Sequence, residues 1–528
     1  MDFQNLIESM PHKSGSLWWL ENGTRVGRRY STLYQDVKEA RQKLEQWGVS
    51  MGTRVGIYAP NSWRWLVHDL ALIDIGAISV AFTDDFRNDI SEDLLERHNL
   101  DLFLTTKSHA KFFPKTAQNI GFIDEDSDGA QILHRARPAP REDEADQLTW
   151  AFSSGSSGGL KGLVISRRGV MATLPPILDS VGLSRGDCLL LFLPLSNFQQ
   201  RYLCYGALMY DFDIALTDFT QLFGAIEKLH PTILLGPPVL YQMFHAEHMG
   251  KPRRIRWWQD GLGTILCAIP SMELRRRLGR RFFGDFHAKF GPRTRMLITG
   301  MAPIRPNVLR LFERMQIPLS EAYGMVEVGV MTFKRGGLND RRTVGLPVRD
   351  IKFSFGDDGE IFVHRRHPVT LRYFQCAEGE NERTFIGPAT IATGDLGRLD
   401  SHGRLVILGR KKEVIAMPSG EKIHPETIER ELNTCPDVAN SVVFMGHGPH
   451  LSCIVSLNNA QDIDAMARVR KLVSGLAARQ SAARFMNVVF ASEHFSRENG
   501  MLRPNMKIDR KKIIATYGAN SDPLKASG

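Results

Sequence analysis

The chain has 528 residues, of which 43% are hydrophobic and 24% are charged, and its formal net charge is +9 at pH 7. This length exceeds one ordinary domain, so at least two lobes with separate cores are expected. The composition excludes a collagen-like or disordered protein. The sequence shows neither the roughly 18 consecutive apolar residues of a membrane-spanning helix nor a signal-peptide pattern at its N-terminus.

The cysteines are widely spaced, and none of them forms a CxxC pair. This spacing argues against a disulfide framework and against a zinc site, and it favours the reducing cytoplasm. The six positions are Cys188, Cys204, Cys267, Cys376, Cys435 and Cys453.

Much of the positive charge lies in two segments, Lys251–Arg256 and Arg275–Arg281. Such clusters are typical of surfaces that bind nucleic acid, anionic lipid or polyphosphate, but a solvated arginine-rich helix face has the same composition. No helix-turn-helix, zinc-finger or aromatic RNA-binding pattern accompanies them, so no nucleic-acid partner is expected.

The first clear helix is predicted where apolar residues recur at helical spacing from Leu33 to Trp47. Ser31 stands where an N-cap would begin this helix, and Gly48 stands where a C-terminal glycine would end it. The prediction is therefore an amphipathic helix with one buried face.

A βαβ unit follows. Arg54–Ala59 and Ala77–Phe82 are predicted strands, and Ser62–Asp74 between them is a predicted helix. A strand, a helix and a second strand within about thirty residues indicate a parallel sheet.

Farther along the chain the sequence pattern changes twice. The proline-rich, charged segment Arg135–Asp146 is a predicted loop, and Leu190–Met331 alternates apolar runs with amphipathic stretches. Beyond Asp395, turns such as Asp400–Gly403 and Pro418–Gly420 separate short strands. A small α+β lobe from about residue 410 onward is expected.

A serine- and glycine-rich loop lies between two apolar runs, Leu148–Phe152 and Leu163–Ile165. Glycines allow backbone N–H groups to turn toward an anion, hydroxyls add donors, and Lys161 adds a positive charge. The segment is not a Walker A loop, because Gly162 and a strand-like run follow the lysine. The alternative is a flexible linker. A linker would rarely be framed by strands, so a polyphosphate cradle is favoured.

This loop resembles the signature of the adenylate-forming superfamily, which comprises acyl-CoA synthetases, adenylation domains and luciferases. Ser154–Gly162 matches Ser/Thr-Gly-Ser/Thr-Thr-Gly-x-Pro-Lys-Gly except that Leu160 replaces the proline. Four further motifs follow in the family's order. They are Glu321–Glu327, Thr393–Asp395, Gly409–Glu413 with Ser419–Glu429 after it, and Glu498–Arg510.

The resemblance implies an α/β fold with two lobes. A large N-terminal lobe over residues 1–408 would hold stacked mixed sheets flanked by helices, plus a small β-barrel-like part. A hinge over 409–412 would connect it to a small mobile α+β lobe over 413–528, which carries the adenylation lysine.

Details resemble the long-chain fatty acyl-CoA synthetase branch, namely Leu193–Tyr205, Thr299–Pro303 and the ENGxLxPxxK ending. Adenylation domains for α-amino acids place an aspartate near the first of these segments to hold the substrate ammonium. Phe198 and Gln199 carry no such charge, so the resemblance favours an apolar or bulky acid without an amino group.

The resemblance also implies a site in which ATP and a carboxylic acid form an acyl adenylate, and coenzyme A then takes the acyl group. The expected catalytic residues are Lys507, Glu327 and Lys161, with Glu327 also the ligand of Mg²⁺. The expected contacts of ATP or AMP are Ser153, Ser154, Gly155, Ser156, Ser157, Gly158, Lys161, Tyr323, Gly324, Met325, Asp395, Arg410 and Lys507. The expected acyl contacts are Asn197, Phe198, Gly300, Met301, Ala302 and Gly329. Lys412 would be the hinge, and Gly420 would face the thiol tunnel.

Several positions depart from the family pattern. Val326 replaces a threonine near the phosphates, Arg167 replaces a histidine after the loop, and Asn197 replaces a histidine near the acyl channel. Ala389–Thr390 stand where a Gly-Trp pair usually precedes the Thr-Gly-Asp turn. Loss of one hydroxyl contact costs on the order of 1 kcal/mol, which slows an enzyme without abolishing it.

Other functions stay open at this stage. The acyl group could pass to the phosphopantetheine arm of an acyl carrier protein, whose acidic surface Lys251–Arg256 could grip as readily as the 3′-phosphate of coenzyme A. Val326 supports the alternative of a protein that binds a nucleotide or an acyl group but no longer catalyses a reaction. The hypothesis of a nucleic-acid-binding protein is supported by the positive charge alone. A homodimer is also left open.

Overall fold

A computed structural model describes residues 2–83, 86–87, 90, 92–113, 119–124, 144–154, 160–336, 343–417, 421–446, 450–477, 487–496, 498–502 and 508–518. Within these ranges the protein is mixed α/β, as the sequence predicts, with several sheets and helices on their faces. No helix in the described ranges is long and apolar enough to cross a membrane.

The strands of the described residues are, in chain order, β1 (Ser16–Glu21), β2 (Thr24–Arg29), β3 (Arg54–Tyr58), β4 (Ile78–Ala81), β5 (Leu102–Thr105), β6 (Ile120–Phe122), β7 (Gln147–Ser154), β8 (Leu160–Ser166), β9 (Cys188–Leu191), β10 (Asp213–Leu216), β11 (Ile233–Gly236), β12 (Met296–Thr299), β13 (Leu319–Met325), β14 (Gly329–Lys334), β15 (Leu346–Pro347), β16 (Lys352–Phe355), β17 (Glu360–His364), β18 (Thr370–Gln375), β19 (Phe385–Gly387), β20 (Thr390–Leu399), β21 (Leu405–Arg410), β22 (Ile415–Ala416), β23 (Lys422–Ile423), β24 (Val438–Met445), β25 (Leu451–Leu457) and β26 (Asn487–Phe490).

The helices of the same ranges are α1 (Phe3–Glu8), α2 (Tyr30–Gln46), α3 (Trp63–Ile75), α4 (Glu92–Arg97), α5 (Arg167–Val181), α6 (Phe198–Tyr210), α7 (Leu222–Leu229), α8 (Pro238–Gly250), α9 (Arg253–Cys267), α10 (Met272–Phe282), α11 (Gly284–Ala288), α12 (Pro306–Arg314), α13 (Glu380–Thr384), α14 (Pro425–Leu432), α15 (Ile463–Ala477) and α16 (Arg510–Tyr517).

Two large sheets form the first part of the chain. One has nine strands in the order β15-β14-β13-β12-β11-β9-β10-β1-β2, and the other has seven in the order β18-β8-β7-β4-β3-β5-β6. Their central strands pair in parallel. Strands such as β9 and β4 are buried along their whole length, because parallel sheets are covered on both faces.

The predicted βαβ unit is confirmed. β3 and β4 pair in parallel, and α3 connects them. The Ser62 hydroxyl accepts a hydrogen bond from the Trp65 N–H at 3.1 Å and so caps α3. Gly76 ends the helix in the left-handed conformation that a glycine adopts without strain.

The predicted cap of the preceding helix is wrong. α2 begins at Tyr30, so Ser31 lies inside the first turn, and Arg29 occupies the cap position without a side-chain hydrogen bond. The Tyr30 hydroxyl donates to the Phe212 carbonyl at 2.6 Å, and the Tyr30 N–H donates to the Gly15 carbonyl at 3.0 Å. These tertiary contacts replace the local cap that the sequence indicated.

Three smaller sheets complete the described residues. β16, β17, β20, β19 and β21 form an antiparallel sheet where a barrel-like part was expected. β22 pairs with β23, and β24, β25 and β26 form a three-stranded sheet packed on α14, α15 and α16. The predicted turn at Asp400–Gly403 is present, because the Gly403 N–H donates to the Asp400 carbonyl at 3.0 Å.

A buried ionic cluster joins two strands of the seven-stranded sheet to helices α3 and α6. Arg201 on α6 donates to Asp69 on α3 at 2.9 Å and to Thr149 on β7 at 3.0 Å. Ser79 on β4 and Tyr205 on α6 also donate to Asp69, at 3.1 and 2.6 Å. The side chains of Arg201 and Asp69 are both 0% exposed. A buried charge pair survives only when its other hydrogen bonds are also satisfied, and this cluster meets that condition for the carboxylate.

A second charged cluster joins β21 to the elements that follow it. Arg510 donates to Glu413 at 2.8 Å and to Glu429 at 2.6 Å. Glu426 on α14 lies beside Gly409, where an added Cβ would come within 3.1 Å of its carboxylate. Burial and the charge of Glu413 raise the pKa of Glu426 to about 7.

Replacing Arg201 tests the buried cluster. Arg201→Met leaves the Asp69 charge buried and unpaired, and we expect a loss of about 3–5 kcal/mol of stability, measured as a lower midpoint of thermal unfolding. The matched control is Arg277→Met, which breaks an exposed pair with Glu273 and should cost no more than about 0.5 kcal/mol. Equal effects of the two substitutions would contradict a structural role for the cluster.

The pKa of Glu426 predicts a pH dependence of stability. Folding raises the pKa of the Glu426 carboxyl from 4.5 to about 7. Between these pH values the folded chain binds more protons than the unfolded chain, so the free energy of unfolding falls as pH rises from about 4.5 to 7. Glu426→Gln should flatten this decline in thermal midpoints recorded from pH 5 to 8. The exposed Glu39→Gln variant is the control and should show the same pH profile as the unaltered protein. If Glu426→Gln also leaves the profile unchanged, the pKa shift of Glu426 is contradicted.

Candidate functional site

The predicted phosphate-binding loop connects two paired strands. β7 and β8 are antiparallel, and Ser153 lies opposite Lys161 across the hairpin. The prediction of two strands framing the loop is thus confirmed. Gly155, Ser156, Ser157 and Gly158 lie outside the described residues, as does the side chain of Ser154.

Lys161 is held by two side chains that the sequence did not single out. Its ammonium lies 2.6 Å from the carboxylate of Glu380 on α13 and 4.8 Å from the centre of the Tyr373 ring. Tyr373 is positioned by β18, which pairs with β8 in the same sheet. The Lys161 charge therefore lies among partners supplied by a distant part of the chain.

Tyr373 links this lysine to the predicted magnesium ligand. Its hydroxyl donates to the buried Glu327 carboxylate at 2.5 Å, and the Glu327 charge, together with burial, raises the Tyr373 pKa. Glu327 lies in the turn between β13 and β14. No group of three or more acidic, histidine or cysteine side chains that could hold a metal ion by itself occurs in the described ranges. A single carboxylate fits Mg²⁺, which proteins commonly hold by one or two carboxylates and substrate phosphates.

Three of the expected ATP or AMP contacts are assembled around Asp395. Asp395 on β20 lies opposite Arg410 on β21, and the guanidinium donates to its carboxylate at 2.8 Å. The Tyr323 hydroxyl donates to the other carboxylate oxygen at 2.5 Å. Burial and the neighbouring Asp395 charge raise the Tyr323 pKa well above its usual range. The structure thus brings three of the predicted residues together.

The β13–β14 hairpin connects these two groups. Tyr323 on β13 contacts Asp395, and Glu327 in the following turn contacts Tyr373. Gly324 lies within the hairpin, where an added Cβ would come within 2.5 Å of the Gly329 carbonyl oxygen, so the close approach of the strands requires a glycine. Met325 ends β13 directly before the turn.

Charges of opposite sign alternate beside the loop. Glu380 contacts Lys161 at 2.6 Å and Lys412 at 3.7 Å. Burial opposes ionisation of Glu380, but the hydrogen bond and charge of Lys161 outweigh it, and the Glu380 pKa lies below its usual value. The ionised carboxylate therefore balances the positive charge of the two lysines beside the loop.

The predicted acyl contacts occupy three places, which are the turn after β12, the start of α6 and the start of β14. Gly300, Met301 and Ala302 form the turn after β12, where Met301 adopts a left-handed conformation (φ 71°) that is uncommon outside glycine. An added Cβ at Gly300 would come within 2.8 Å of the Ala322 carbonyl oxygen, beside Tyr323. In this described region the Thr299 hydroxyl is buried without a hydrogen-bond partner.

The second place is the start of α6. Asn197 caps this helix by accepting a hydrogen bond from the Gln199 N–H at 3.1 Å, and Phe198 is buried. Capping accounts for Asn197 at this position without a ligand. Gly329 begins β14 with a left-handed conformation (φ 93°).

An apolar cavity of about 60 Å³ adjoins the β13–β14 hairpin. Every residue that lines it is apolar, and Ala322, next to Tyr323, is one of them. Apolar cavities stay dry and accept apolar groups. The other lining residues are Ile177, Leu178, Val181, Leu183, Leu189, Leu203, Ile233, Leu235, Ile298, Val330, Phe333 and Val348.

The predicted residues of the second lobe are only partly described. Lys412 is exposed in the short turn Lys411–Glu413 between β21 and β22. Lys507 and Gly420 lie outside the described residues.

Two of the departures from the family pattern have a structural reason. Arg167 donates to the Gln147, Ile73 and Ala77 carbonyls at 3.0, 3.0 and 3.2 Å, so it joins α5 to the βαβ unit. Asn197 caps α6 through its side-chain oxygen. Nothing in the structure explains Val326.

Sequence reasoning missed Tyr373 and Glu380. Neither belongs to a glycine-rich or repeated motif, and each is brought to Lys161 only by the pairing of β18 with β8 and by the position of α13. A tyrosine in a strand and a glutamate in a short helix carry no local signal of such a role.

Several known CoA ligases are similar to this chain in sequence or in fold. It is 24% identical over 563 residues to a long-chain-fatty-acid–CoA ligase of Mycobacterium bovis, covering 92% of this chain and 90% of that protein. The fold is similar to o-succinylbenzoate CoA synthetase from Bacillus subtilis, solved with the acyl-adenylate intermediate OSB-AMP (TM-score 0.71, 16% identity, 97% of each chain). It is also similar to the anthranilate CoA ligase AuaEII with anthranoyl-AMP (TM-score 0.73, 15% identity, 99% and 98% of the two chains).

The family model described as AMP-binding enzyme matches residues 22–367, which is well over half of the sequence. The matched range contains the β7–β8 hairpin, the β13–β14 hairpin and Glu327. The chain belongs to the AMP-binding enzyme family.

Proposed function

We propose that this protein is an AMP-forming acyl-CoA synthetase that activates a fatty or other apolar acid. One observation carries the proposal: a single hairpin, β13–β14, holds Tyr323 against the Asp395–Arg410 pair and Glu327 against Tyr373, whose ring also contacts Lys161. In this proposal the same hairpin supports the carboxylate that binds ribose and the cation beside the glycine-rich loop. This arrangement suits a nucleoside triphosphate in extended form.

Each group has a separate task in this proposal. Asp395 accepts hydrogen bonds from the ribose hydroxyls, since a carboxylate offers two acceptor oxygens, and Arg410 fixes its orientation. Lys161 and the loop hold the pyrophosphate end by charge and N–H donors. Glu327 holds Mg²⁺, which supplies neutralisation of phosphate charge during the reaction. The B. subtilis relative was also solved with ATP and a magnesium ion.

The chemistry takes place in two steps. A carboxylate oxygen of the acid attacks the α-phosphorus of ATP, the bond to pyrophosphate breaks, and acyl-AMP forms. The thiol sulfur of coenzyme A then attacks the acyl carbon, AMP leaves, and the thiol proton passes to solvent. Because two anions meet in the first step, positioning and charge neutralisation supply most of the catalysis, and Lys507 is the proposed cation at the reacting oxygens.

The apolar cavity beside Ala322 supports the choice of acid. Its lining offers no charge or hydrogen-bond donor that would recognise an ammonium or a second carboxylate. Ile298, which lines the cavity, is followed along the chain by Thr299 and the Met301 turn. The acid would place its apolar end in the cavity and its carboxylate near the α-phosphate.

We further propose two lobes, over residues 1–408 and 413–528, that rotate about Lys412 between the two steps. β21 pairs with β20 in the antiparallel sheet and ends at Arg410. The next sheet along the chain, β22 with β23, begins at Ile415. Lys412 is exposed between them, so its backbone can rotate at small cost. Rotation would move Lys507 away from the reacting oxygens and bring the thiol tunnel beside Gly420 to the same site.

A panel of fatty, aromatic and terpenoid acids tests the proposed function. We expect ATP–pyrophosphate exchange with apolar acids and a thioester with coenzyme A. Lys161→Met, which removes the charge at the loop, should lower the exchange rate at least about a hundredfold. No exchange with any acid, while AMP still binds, would refute the ligase. A thioester on a carrier protein but not on coenzyme A would reassign the acceptor.

Lys507→Ala tests the division of tasks between the two lobes. Loss of its positive charge should depress acyl-AMP formation by about two orders of magnitude or more, yet largely spare thioester formation from supplied acyl-AMP. The exposed Lys511→Ala, on α16, is the control and should leave both rates near wild type. A similar loss in both half-reactions would contradict this assignment.

A further inference from the structure

The outer face of α9 carries large apolar side chains in contact with solvent. Trp257 is 81% exposed, Ile265 is 69% exposed and Trp258 is 51% exposed. With Arg254 they recur at helical spacing on one side of the helix. Two exposed tryptophans on one helix turn are unusual in a monomeric protein, and contiguous exposed apolar surface commonly marks an interaction site.

The helix is anchored on its opposite face. Leu266 is buried, and Gly263 lies so close to α12 that an added Cβ would come within 2.5 Å of the Arg314 carbonyl oxygen. On α10, Arg275 is buried and donates to Gln316 at 2.7 Å. The exposed side chains therefore belong to a fixed surface. We call it the α9–α10 face, and it comprises Arg254, Trp257, Trp258, Ile265, Leu274 and Arg277.

Positive charge surrounds this face. Residues 251–282 contain nine Lys or Arg and only two Asp or Glu, so this short region accounts for most of the excess charge of the chain. Arg253 and Arg254 begin α9, where no acidic side chain or side-chain cap is present. Cations at a helix N-terminus oppose the helix dipole, so these charges do not serve the stability of the helix.

We propose that the α9–α10 face is a docking surface for an anionic lipid bilayer. Tryptophan is enriched at the level of the lipid head groups, where its ring is half apolar and half hydrated. Arginine side chains reach anionic head groups from the same depth. Exposed isoleucine and leucine add apolar contacts with the acyl boundary that a nucleic-acid duplex would not offer.

The inference stands on surface residues and does not depend on the proposed ligase activity. Docking would bring the proposed ligase to a lipid phase in which apolar acids dissolve. Binding to lipid can be measured on the whole protein without any turnover, so failure of either proposal is visible separately.

Sedimentation with lipid vesicles tests the docking surface. The full-length protein should bind vesicles of phosphatidylcholine with 30% phosphatidylserine and bind them more weakly as NaCl is raised. Trp257→Ala/Trp258→Ala should weaken binding by about tenfold or more. Arg253→Gln/Arg254→Gln should weaken it by about fivefold for each charge removed.

Matched variants elsewhere control for exposure and charge. Ile463→Ala removes another apolar side chain, which is 78% exposed, and Arg349→Gln/Arg398→Gln removes two surface charges. Both should bind vesicles as the unaltered protein does. All variants should keep its thermal midpoint, since none of these side chains is buried.

Three results would overturn the proposal. They are absence of binding to the anionic vesicles, binding that none of the α9–α10 variants weakens, and binding of duplex DNA in place of vesicles with loss in the arginine variants. The last result would assign the charge to a nucleic-acid partner.

Discussion

The buried pair of Arg201 and Asp69 sets the relative position of the elements on which the site depends. It joins α6, α3 and β7, and through Ser79 also β4. Thr149 in this cluster lies on the strand that leads to the phosphate loop, and Arg201 lies one turn after the start of α6, where acyl contacts are expected. Two charges in a low-dielectric interior are stable only in one geometry, so they fix both elements together.

The site itself follows a second electrostatic constraint. Lys161, without a polyphosphate, is satisfied by Glu380 and the Tyr373 ring, and Glu327 is satisfied by the Tyr373 hydroxyl. Each charge is thus compensated inside the protein. A bound polyphosphate must exchange protein contacts for its own, and the gain on binding is the difference between two well-paired states.

The charged surfaces of the protein have different physical characters. The cluster of Arg510 with Glu413 and Glu429 is closed and nearly neutral, and it joins the Lys411–Glu413 turn to α14 and α16. The α9–α10 face is open, basic and mixed with tryptophan. Only the second leaves apolar area and positive charge directed outward together, which is why it is assigned to an external partner.

The sequence by itself determined the types of local structure. The spacing of apolar residues and the positions of turn residues predicted the βαβ unit and the strands that frame the loop, because those signals depend on neighbouring residues. Tertiary structure decided the remainder. Tyr30 begins α2 through contacts with Phe212 and Gly15, and Asn197 caps a helix. Tyr373 and Glu380 reach Lys161 from another part of the chain, since strand pairing and burial depend on residues that are distant in sequence.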